Sequence, residues 1–247
     1  MIFIVIPAFN EAATLGGIVR RALVVEKNVV VVDDGSTDQS SAEAERAGAL
    51  VLRLDKNSGK AHALTTGMNY AREKGASAVL TLDGDGQHRP EDISRLIDAA
   101  NHHPNNIIIG SRMGDKSTFP RKRYIANCVA NFWISWASGY RIEDSQSGFR
   151  LYPACLLAKI DIKSSRERSF VFESEILIEA AKRGVKSIPV AIPALYAGTL
   201  MRPSHFRPVY DISQIVWMVA GKLLSRGMYL SGLFQSLKSN QDFKINS

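Results

Sequence analysis

The chain has 247 residues, 45% of them hydrophobic and 22% charged, which suits one large or two small globular domains with an apolar core. Its two cysteines lack metal-ligand spacing, which excludes a cysteine-rich metal site and favours a reducing, cytoplasmic setting. No apolar run reaches the roughly 18–20 residues of a membrane span, and the N-terminus lacks the basic start of a signal peptide. The net charge of +7 favours an anionic partner: nucleic acid, acidic membrane or phosphorylated substrate.

Short apolar runs alternate with helical periodicity through the first half of the chain. Buried strands are predicted at residues 2–6, 29–32, 50–54, 79–82 and 107–109. Helices are predicted between them, one starting at a Ser36 or Thr37 cap and one at Pro90. This alternation predicts an α/β fold with a parallel-rich central sheet flanked by helices.

Polar residues follow the predicted strands or open the next helix. They are Asn10, Glu11, Asp33, Asp34, Lys60, Asp83, Asp85 and Arg112. Because the carboxyl ends of parallel strands meet at one edge of a sheet, we expect these side chains to converge there. Separate caps and turns explain the neighbouring serines and glycines, but they explain this many acids beside Lys60 and Arg112 poorly.

Two carboxylates separated by one glycine follow the fourth strand, in the segment Asp83-Gly84-Asp85. They repel each other unless a positive charge lies between them, and their hard oxygen atoms suit Mg²⁺ or Mn²⁺. The alternative interpretation is a polar turn with solvated acids.

Four segments together resemble the signature blocks of family 2 glycosyltransferases. They are Pro7-Ala8-Phe9-Asn10-Glu11, Asp33-Asp34-Gly35-Ser36-Thr37-Asp38, Asn57-Ser58-Gly59-Lys60 and Asp83-Gly84-Asp85-Gly86-Gln87-His88. A fifth, Asp144-Ser145-Gln146-Ser147-Gly148-Phe149-Arg150, is similar to the block typical of the polyprenyl-phosphate, or dolichol-phosphate mannose synthase-like, branch. The resemblance implies a GT-A fold, a Rossmann-like nucleotide-diphospho-sugar transferase architecture.

The resemblance also implies a donor site for a GDP- or UDP-sugar. By its motifs, the donor is bound by Pro7, Phe9, Glu11, Asp34 and Lys60, and the Mg²⁺ or Mn²⁺ ion on its diphosphate is bound by Asp83, Asp85 and Gln87. The cation and Arg112 would neutralise the departing nucleoside diphosphate.

The resemblance further implies a polyprenyl phosphate acceptor. Asp144 would lie by the reacting centre, and Arg123, or Arg121, would contact the acceptor. A hydroxyl acceptor on a saccharide, lipid or secondary metabolite is the alternative, as is an inactive nucleotide-sugar-binding module. The branch has a lysine where this chain has His205, after Arg202 and Ser204, and that departure concerns the acceptor more than the donor.

The basic residues Lys116, Arg121, Lys122 and Arg123 allow two interpretations: a solvated loop, or a clamp for an acceptor phosphate or lipid head groups. The resemblance favours the clamp. No nucleic-acid partner is expected, because no recognition motif accompanies the positive charge. Glu173 and Glu175 are predicted to open a helix that Gly184 closes, as dipole partners without chemistry.

We expect two parts in the chain: a catalytic domain over residues 1–205, and an amphipathic helical segment with a tail over residues 206–247. The helical face contains Ile212, Ile215, Val216, Val219 and Leu223. It is predicted either to pack on the core or to lie on an anionic membrane, with Lys122, Arg123, Lys222 and Arg226 on the head groups. Phe132, Trp133 and Trp136 would join that surface, so the protein is expected to be peripheral on the cytoplasmic face of a membrane.

Overall fold

The computed structural model describes residues 1–114, 119–157, 159, 169–193, 195 and 208–238. These residues contain the strands β1 (Ile2–Ala8), β2 (Val29–Asp33), β3 (Leu50–Arg53), β4 (Ala78–Thr81), β5 (Ile107–Ser111), β6 (Arg150–Pro153) and β7 (Ser187–Ala191). The helices are α1 (Ala12–Val25), α2 (Ser40–Arg46), α3 (Lys60–Glu73), α4 (Ile93–His102), α5 (Arg121–Ser138), α6 (Ala154–Leu157), α7 (Ser169–Lys182), α8 (Pro208–Leu224) and α9 (Leu230–Leu237). Short 3₁₀ turns lie at Pro90–Asp92 and Gly227–Tyr229.

The described strands form one sheet in the order β3-β2-β1-β4-β6-β5-β7. Every neighbouring pair is parallel except the two that involve β6, which runs antiparallel to β4 and to β5. The parallel-rich α/β sheet is therefore confirmed. The strand β6 was not predicted, because its four residues include an arginine and a proline and show no apolar run.

Alternate residues of each strand point to opposite faces of the sheet, and each face buries its own apolar cluster. Phe3 and Val5 of β1 pack with α3, α5, α7 and α8 on one face. Ile4 and Ile6 pack with α1, α2 and α4 on the other. The sheet is thus covered on both sides, as the near-continuous apolar runs of its strands require.

The start of α2 differs from the prediction. The helix begins at Ser40, and no side chain caps it. The Ser36 hydroxyl instead accepts a hydrogen bond from the backbone N–H of Asn10, 2.9 Å away. The amide of Ser36 donates to Asp33 Oδ1, so that the segment after β2 is an Asp-stabilised turn rather than a helix start. The predicted cap at Ser36 or Thr37 is wrong.

Two segments in the second half are helical where the sequence predicted otherwise. Arg121, Lys122 and Arg123 form the first turn of the long helix α5, so they do not lie in a loop, although Arg121 and Lys122 are exposed to solvent as that interpretation expected. The helix α7 begins at Ser169, so Glu173 lies in its second turn rather than at its start. Glu173 is therefore no dipole partner of the first turn.

Of the two interpretations of the apolar face of α8, packing on the core is confirmed. Ile215, Val219 and Leu223 of α8 are at most 1% exposed, and they join the cluster that α3, α5 and α7 form. Trp136 is also buried. The membrane interpretation of this face is wrong, because the helix needs it to close the core. The division of the chain at residue 205 stays a prediction.

Lys222 and Arg226, both assigned to lipid head groups, have partners within the chain. Lys222 Nζ lies 3.0 Å from Glu175 and 2.8 Å from Glu179. Arg226 donates to the Ala137 carbonyl at 3.1 Å. Lys222 is thus neutralised within the chain, which contradicts its predicted contact with head groups, whereas Arg226 is exposed and its contact with head groups stays a prediction. Among the described residues, no helix combines the length and the apolar character that crossing a bilayer requires.

Close packing of α3 on the sheet depends on Gly67. A Cβ atom at this position would collide with Val5 Cγ1 and lie 3.0 Å from Val32 Cγ2. We expect Gly67→Ala to lower the free energy of unfolding by about 1–3 kcal/mol, the usual result of overpacking. Gly17→Ala on α1 is the matched control, since its Cβ would meet no atom within 4 Å, and it should raise stability by up to about 1 kcal/mol. Urea unfolding measures both, and equal effects would contradict this packing.

Candidate active site

The carboxyl ends of the parallel strands bring the predicted polar residues to one edge of the sheet. Glu11 follows β1, Asp34 follows β2, Asp83 follows β4 and Arg112 follows β5. The antiparallel strand β6 begins at the same edge, so the loop before it, which contains Asp144, enters the site between β4 and β5. The predicted convergence is confirmed for these described residues.

Asp34 fixes the loop that precedes α3. Its two carboxylate oxygens accept hydrogen bonds from the backbone N–H groups of Ser58, at 2.7 Å, and Gly59, at 2.8 Å. Gly59 has φ 95°, a left-handed conformation that favours glycine. These bonds set the starting point of α3 and thereby the position of its first residue, Lys60. The place of Asp34 in a nucleoside pocket stays a prediction.

Lys60 lies between two carboxylates. Its Nζ atom is 2.7 Å from Asp83 Oδ1 and 3.4 Å from Glu173 Oε1. Burial lowers the pKa of Lys60, but Asp83 and then Glu173 outweigh it, so the pKa lies above its usual value. Lys60 is therefore a charged ammonium group that neutralises Asp83. The sequence did not indicate that Glu173 belongs to the site, because its partner Lys60 is far away in the chain.

Asp83 and Asp85 have pKa values shifted in opposite directions. Burial opposes the ionisation of Asp83, but Lys60 outweighs it and lowers the pKa. Burial and then the neighbouring Asp83 raise the pKa of Asp85. The backbone N–H of Gln87 donates to Asp85 Oδ1 at 3.0 Å, which fixes the turn. The raised pKa of Asp85 indicates that Lys60 does not fully offset the repulsion between the two carboxylates.

A divalent cation fits these residues. The described residues hold no cluster of three or more His, Cys, Asp or Glu ligands, so the protein would supply two carboxylates and the buried Gln87 amide. Such a partial oxygen set suits Mg²⁺ or Mn²⁺, which take further oxygens from a phosphate or from water. Gly148 leaves room there, since the Cβ atom of any other residue at this position would lie 2.5 Å from Asp83 Oδ2.

Arg112 and Asp144 form a buried, two-pronged ion pair. Arg112 Nε lies 2.9 Å from Asp144 Oδ2, and its Nη2 lies 3.1 Å from Oδ1. The backbone N–H of Arg112 also donates to Oδ2. Burial raises the pKa of Asp144, but Arg112 outweighs it and keeps the pKa below its usual value. Asp144 is consequently an ionised partner of Arg112 and a weak proton acceptor.

Arg150, the last residue of the Asp144–Arg150 block, is fully buried and ties the site together. It donates to the backbone carbonyls of Ser145 at 2.7 Å, Ser147 at 2.7 Å and Glu173 at 2.6 Å. The guanidinium therefore links the loop before β6 to α7. The sequence block contained Arg150, but this structural role was not predicted.

The proposed nucleoside side of the site is built on the end of β1. Asn10 has φ 57°, an uncommon left-handed conformation for a residue other than glycine. Its side-chain oxygen accepts from the Thr37 backbone N–H at 2.8 Å, which joins the loops after β1 and β2. A Cβ at Gly84 would lie 3.4 Å from the Pro7 carbonyl oxygen and 3.7 Å from Glu11 Cγ, so these residues flank the acidic turn. Phe9 is half-buried beside them in sequence.

His88 is a buried group that the sequence analysis did not single out. Its ring packs on Phe149 with centroids 5.3 Å apart, and its Nδ1 has no hydrogen-bond partner. Burial, and then Arg112, lower the pKa of His88 to about 4. The ring is consequently neutral near pH 7 and adds no positive charge to the site.

The predicted acceptor side is described only in part. Arg123 lies in the first turn of α5, next to Tyr124, whose ring contacts Phe119 with centroids 5.8 Å apart. Arg112 in turn lies over the Phe119 ring. The start of α5 is therefore close to Arg112. Lys116, Arg202, Ser204 and His205 lie outside the described residues.

This sheet and its charged edge define a glycosyltransferase of the GT-A fold. The glucosyl-3-phosphoglycerate synthase of Mycobacterium tuberculosis, solved with Mn²⁺, UDP-glucose and phosphoglyceric acid, superposes with a TM-score of 0.65. The match covers 92% of this chain and 79% of that one, at 18% identity. At this identity the likeness concerns the fold alone.

The chain belongs to glycosyl transferase family 2, whose model matches residues 3–157. An uncharacterized protein of Methanocaldococcus jannaschii is 38% identical over 202 residues, which cover 79% of this chain and 82% of that protein. The polyprenol monophosphomannose synthase of Mycolicibacterium smegmatis is 29% identical over 235 residues, which cover 89% and 88%. The resemblance to the polyprenyl-phosphate branch is thereby confirmed.

The hydrogen bonds of Arg150 predict a large effect on stability. Arg150→Met keeps most of the side-chain volume but leaves three buried carbonyls without their donor, so we expect the free energy of unfolding to fall by about 3–5 kcal/mol. The control is Arg46→Met, which removes an exposed ion pair with Glu43 and should change stability by less than about 1 kcal/mol. Urea denaturation compares the two variants. A small loss for Arg150→Met would show that other contacts hold the loop.

Proposed function

We propose that this glycosyltransferase moves a sugar from a nucleotide-diphosphate sugar to a polyprenyl phosphate, with inversion and with the help of a divalent cation. The observation that supports a phosphate acceptor is the pairing of Asp144 with Arg112. Both of its oxygens accept hydrogen bonds from Arg112, and its pKa is low. A hydroxyl acceptor needs a base to take its proton. A phosphate is already an anion near neutral pH, so it needs none.

The donor side of this proposal rests on the acidic turn. Asp83, Asp85 and Gln87 would hold Mg²⁺ or Mn²⁺, which when bound supplies positive charge to the diphosphate. Lys60 remains charged beside them and would attract the same phosphates. Pro7, Phe9, Glu11 and Asp34 would line the nucleoside pocket. The base and the sugar are open between GDP- and UDP-sugars.

Arg112 would stabilise the leaving diphosphate. Asp144 holds its guanidinium in one orientation by two side-chain hydrogen bonds. A preorganised cation in a buried site stabilises developing negative charge more strongly than a solvated one. Arg123, near this group in the first turn of α5, would attract the phosphate of the acceptor.

The decisive test compares two acceptors that share the farnesyl chain and differ in the presence of the phosphate group. Farnesyl phosphate and farnesol are offered with a panel of GDP- and UDP-sugars and Mn²⁺, and nucleoside diphosphate release is measured. We expect turnover with farnesyl phosphate only, and loss of turnover with EDTA or after Asp83→Asn. Turnover with farnesol alone would support the hydroxyl alternative, and full activity in EDTA would contradict the metal site. With farnesyl phosphate, Asp144→Asn should slow the reaction and keep the acidic limb of the pH profile.

The membrane contact of this proposal involves a different surface from the one the sequence predicted. Large apolar side chains are exposed on the outer side of α8 and on α9; this outer apolar surface comprises Trp217, Leu224, Leu230, Phe234 and Leu237. Trp217 is 76% exposed and Phe234 66%. The exposed Arg226 lies between α8 and α9 in the chain, and the exposed Arg121 and Lys122 begin α5, against which both helices pack. Apolar side chains with nearby basic residues favour an interfacial position on anionic lipid.

Vesicle flotation tests this contact. The protein should float with anionic vesicles at low salt and less at high salt, because salt screens the attraction of exposed basic residues such as Arg226. Replacing Trp217 and Phe234 by serine should reduce flotation several-fold. The control is Val24→Ser, which removes an 86% exposed apolar side chain from α1, on the other face of the sheet. Equal flotation of all variants would contradict a role for the outer apolar surface.

A further inference from the structure

Glu173 is a buried carboxylate with an incomplete partnership. The residue is 8% exposed, and its Oε1 atom accepts no hydrogen bond. Lys60 Nζ lies 3.4 Å from that oxygen, close enough for attraction but poorly placed for a good hydrogen bond. A buried charge is costly unless it is paired and hydrogen-bonded. Glu173 would therefore be more stable in a state in which Lys60 donates a full hydrogen bond to its Oε1 atom.

The backbone presents Glu173 at a defined place. Arg150 donates to the carbonyl of this residue at 2.6 Å, which ties the second turn of α7 to the loop before β6. The other acids of the helix have closer partners: Glu175 lies 3.0 Å from Lys222, and Glu179 lies 2.8 Å from Lys182. The first pair joins α7 to α8, and the second lies within α7. Glu173 instead faces the acidic turn through Lys60.

Lys60 has two carboxylates within reach and prefers Asp83, at 2.7 Å. An ammonium on Asp83 competes with a divalent cation for the same oxygen. A cation bound to Asp83 and Asp85 would also repel Lys60, since both are positive. The flexible stem of a lysine permits its charge to move by a short distance. Glu173 is the carboxylate to which Lys60 can move with the smallest displacement, because its Oε1 atom is already 3.4 Å from Nζ.

We propose that Glu173 is the alternative partner of Lys60, which passes from Asp83 to Glu173 when a divalent cation binds the acidic turn. This inference rests on the metal dependence of the proposed function and deepens it. Glu173 is then a positioning residue, which acts on the cation site through Lys60. Its carboxylate lowers the cost of freeing Asp83, so the affinity for the cation depends on the pair and not on Asp83 and Asp85 alone.

Mn²⁺ binding to the protein without donor or acceptor tests the exchange, read by the electron paramagnetic resonance of free Mn²⁺. Glu173→Gln keeps the shape but offers no charge to Lys60, so we expect the affinity to fall about tenfold. Glu175→Gln is the matched control, because it removes a charge from the same helix that pairs with Lys222, and it should leave the affinity unchanged. Glu173→Asp retains the charge and should recover part of the loss.

A double-mutant cycle separates exchange from simple attraction between Glu173 and the cation. Lys60→Met removes the competitor, so Mn²⁺ should bind at least as tightly as to the wild type. In that background Glu173→Gln should have less than about a threefold effect. An equal loss in both backgrounds would overturn the exchange, as would an unchanged affinity for Glu173→Gln in the wild type. Failure of the wild type to bind Mn²⁺, even with nucleoside diphosphate, would overturn the metal dependence as well.

Discussion

The burial of the Arg150 guanidinium is the interaction on which the candidate site depends. Three backbone carbonyls accept its hydrogen bonds, from Ser145, Ser147 and Glu173. A buried cation demands such partners, since its desolvation is costly. By meeting that demand, the chain joins the loop before β6 to α7. Arg150 thereby helps to position Glu173, whose carbonyl it holds, and Asp144, which precedes Ser145 in the chain and is also held by Arg112.

In the resulting site, positive and negative side chains alternate in space, and most of them are buried. Lys60 lies between Glu173 and Asp83, and Arg112 is clasped by Asp144. Charges in such a setting interact more strongly than in water, so the pKa values of the acids depend on their cationic neighbours. The arrangement is ready for an anionic ligand accompanied by a cation. It offers no comparable arrangement for taking a proton from a neutral acceptor through Asp144.

The helix α8 has two apolar faces, and its sequence pattern does not indicate which of them is buried. In α8, the row Ile215, Val219 and Leu223 closes the core, while Trp217 and Leu224 on the other side are exposed. Both rows are apolar, so periodicity alone cannot say which faces the protein. Packing against α5 and α7 decided the matter. The same packing brought Lys222 to Glu175 and Glu179, which removed it from the surface predicted to meet lipid.

The sequence by itself determined the class of fold, the family and the edge at which the charged residues meet. Those features follow from local patterns: apolar runs, helical period, and motifs in which Asp83, Asp85 and Arg112 come directly after strands. Only the tertiary structure revealed the antiparallel strand β6, the helical start of α5 and the partners of Lys60, Asp144 and Arg150. The reason is physical. A buried charge is satisfied by groups distant in the chain, and no local pattern specifies which groups those are.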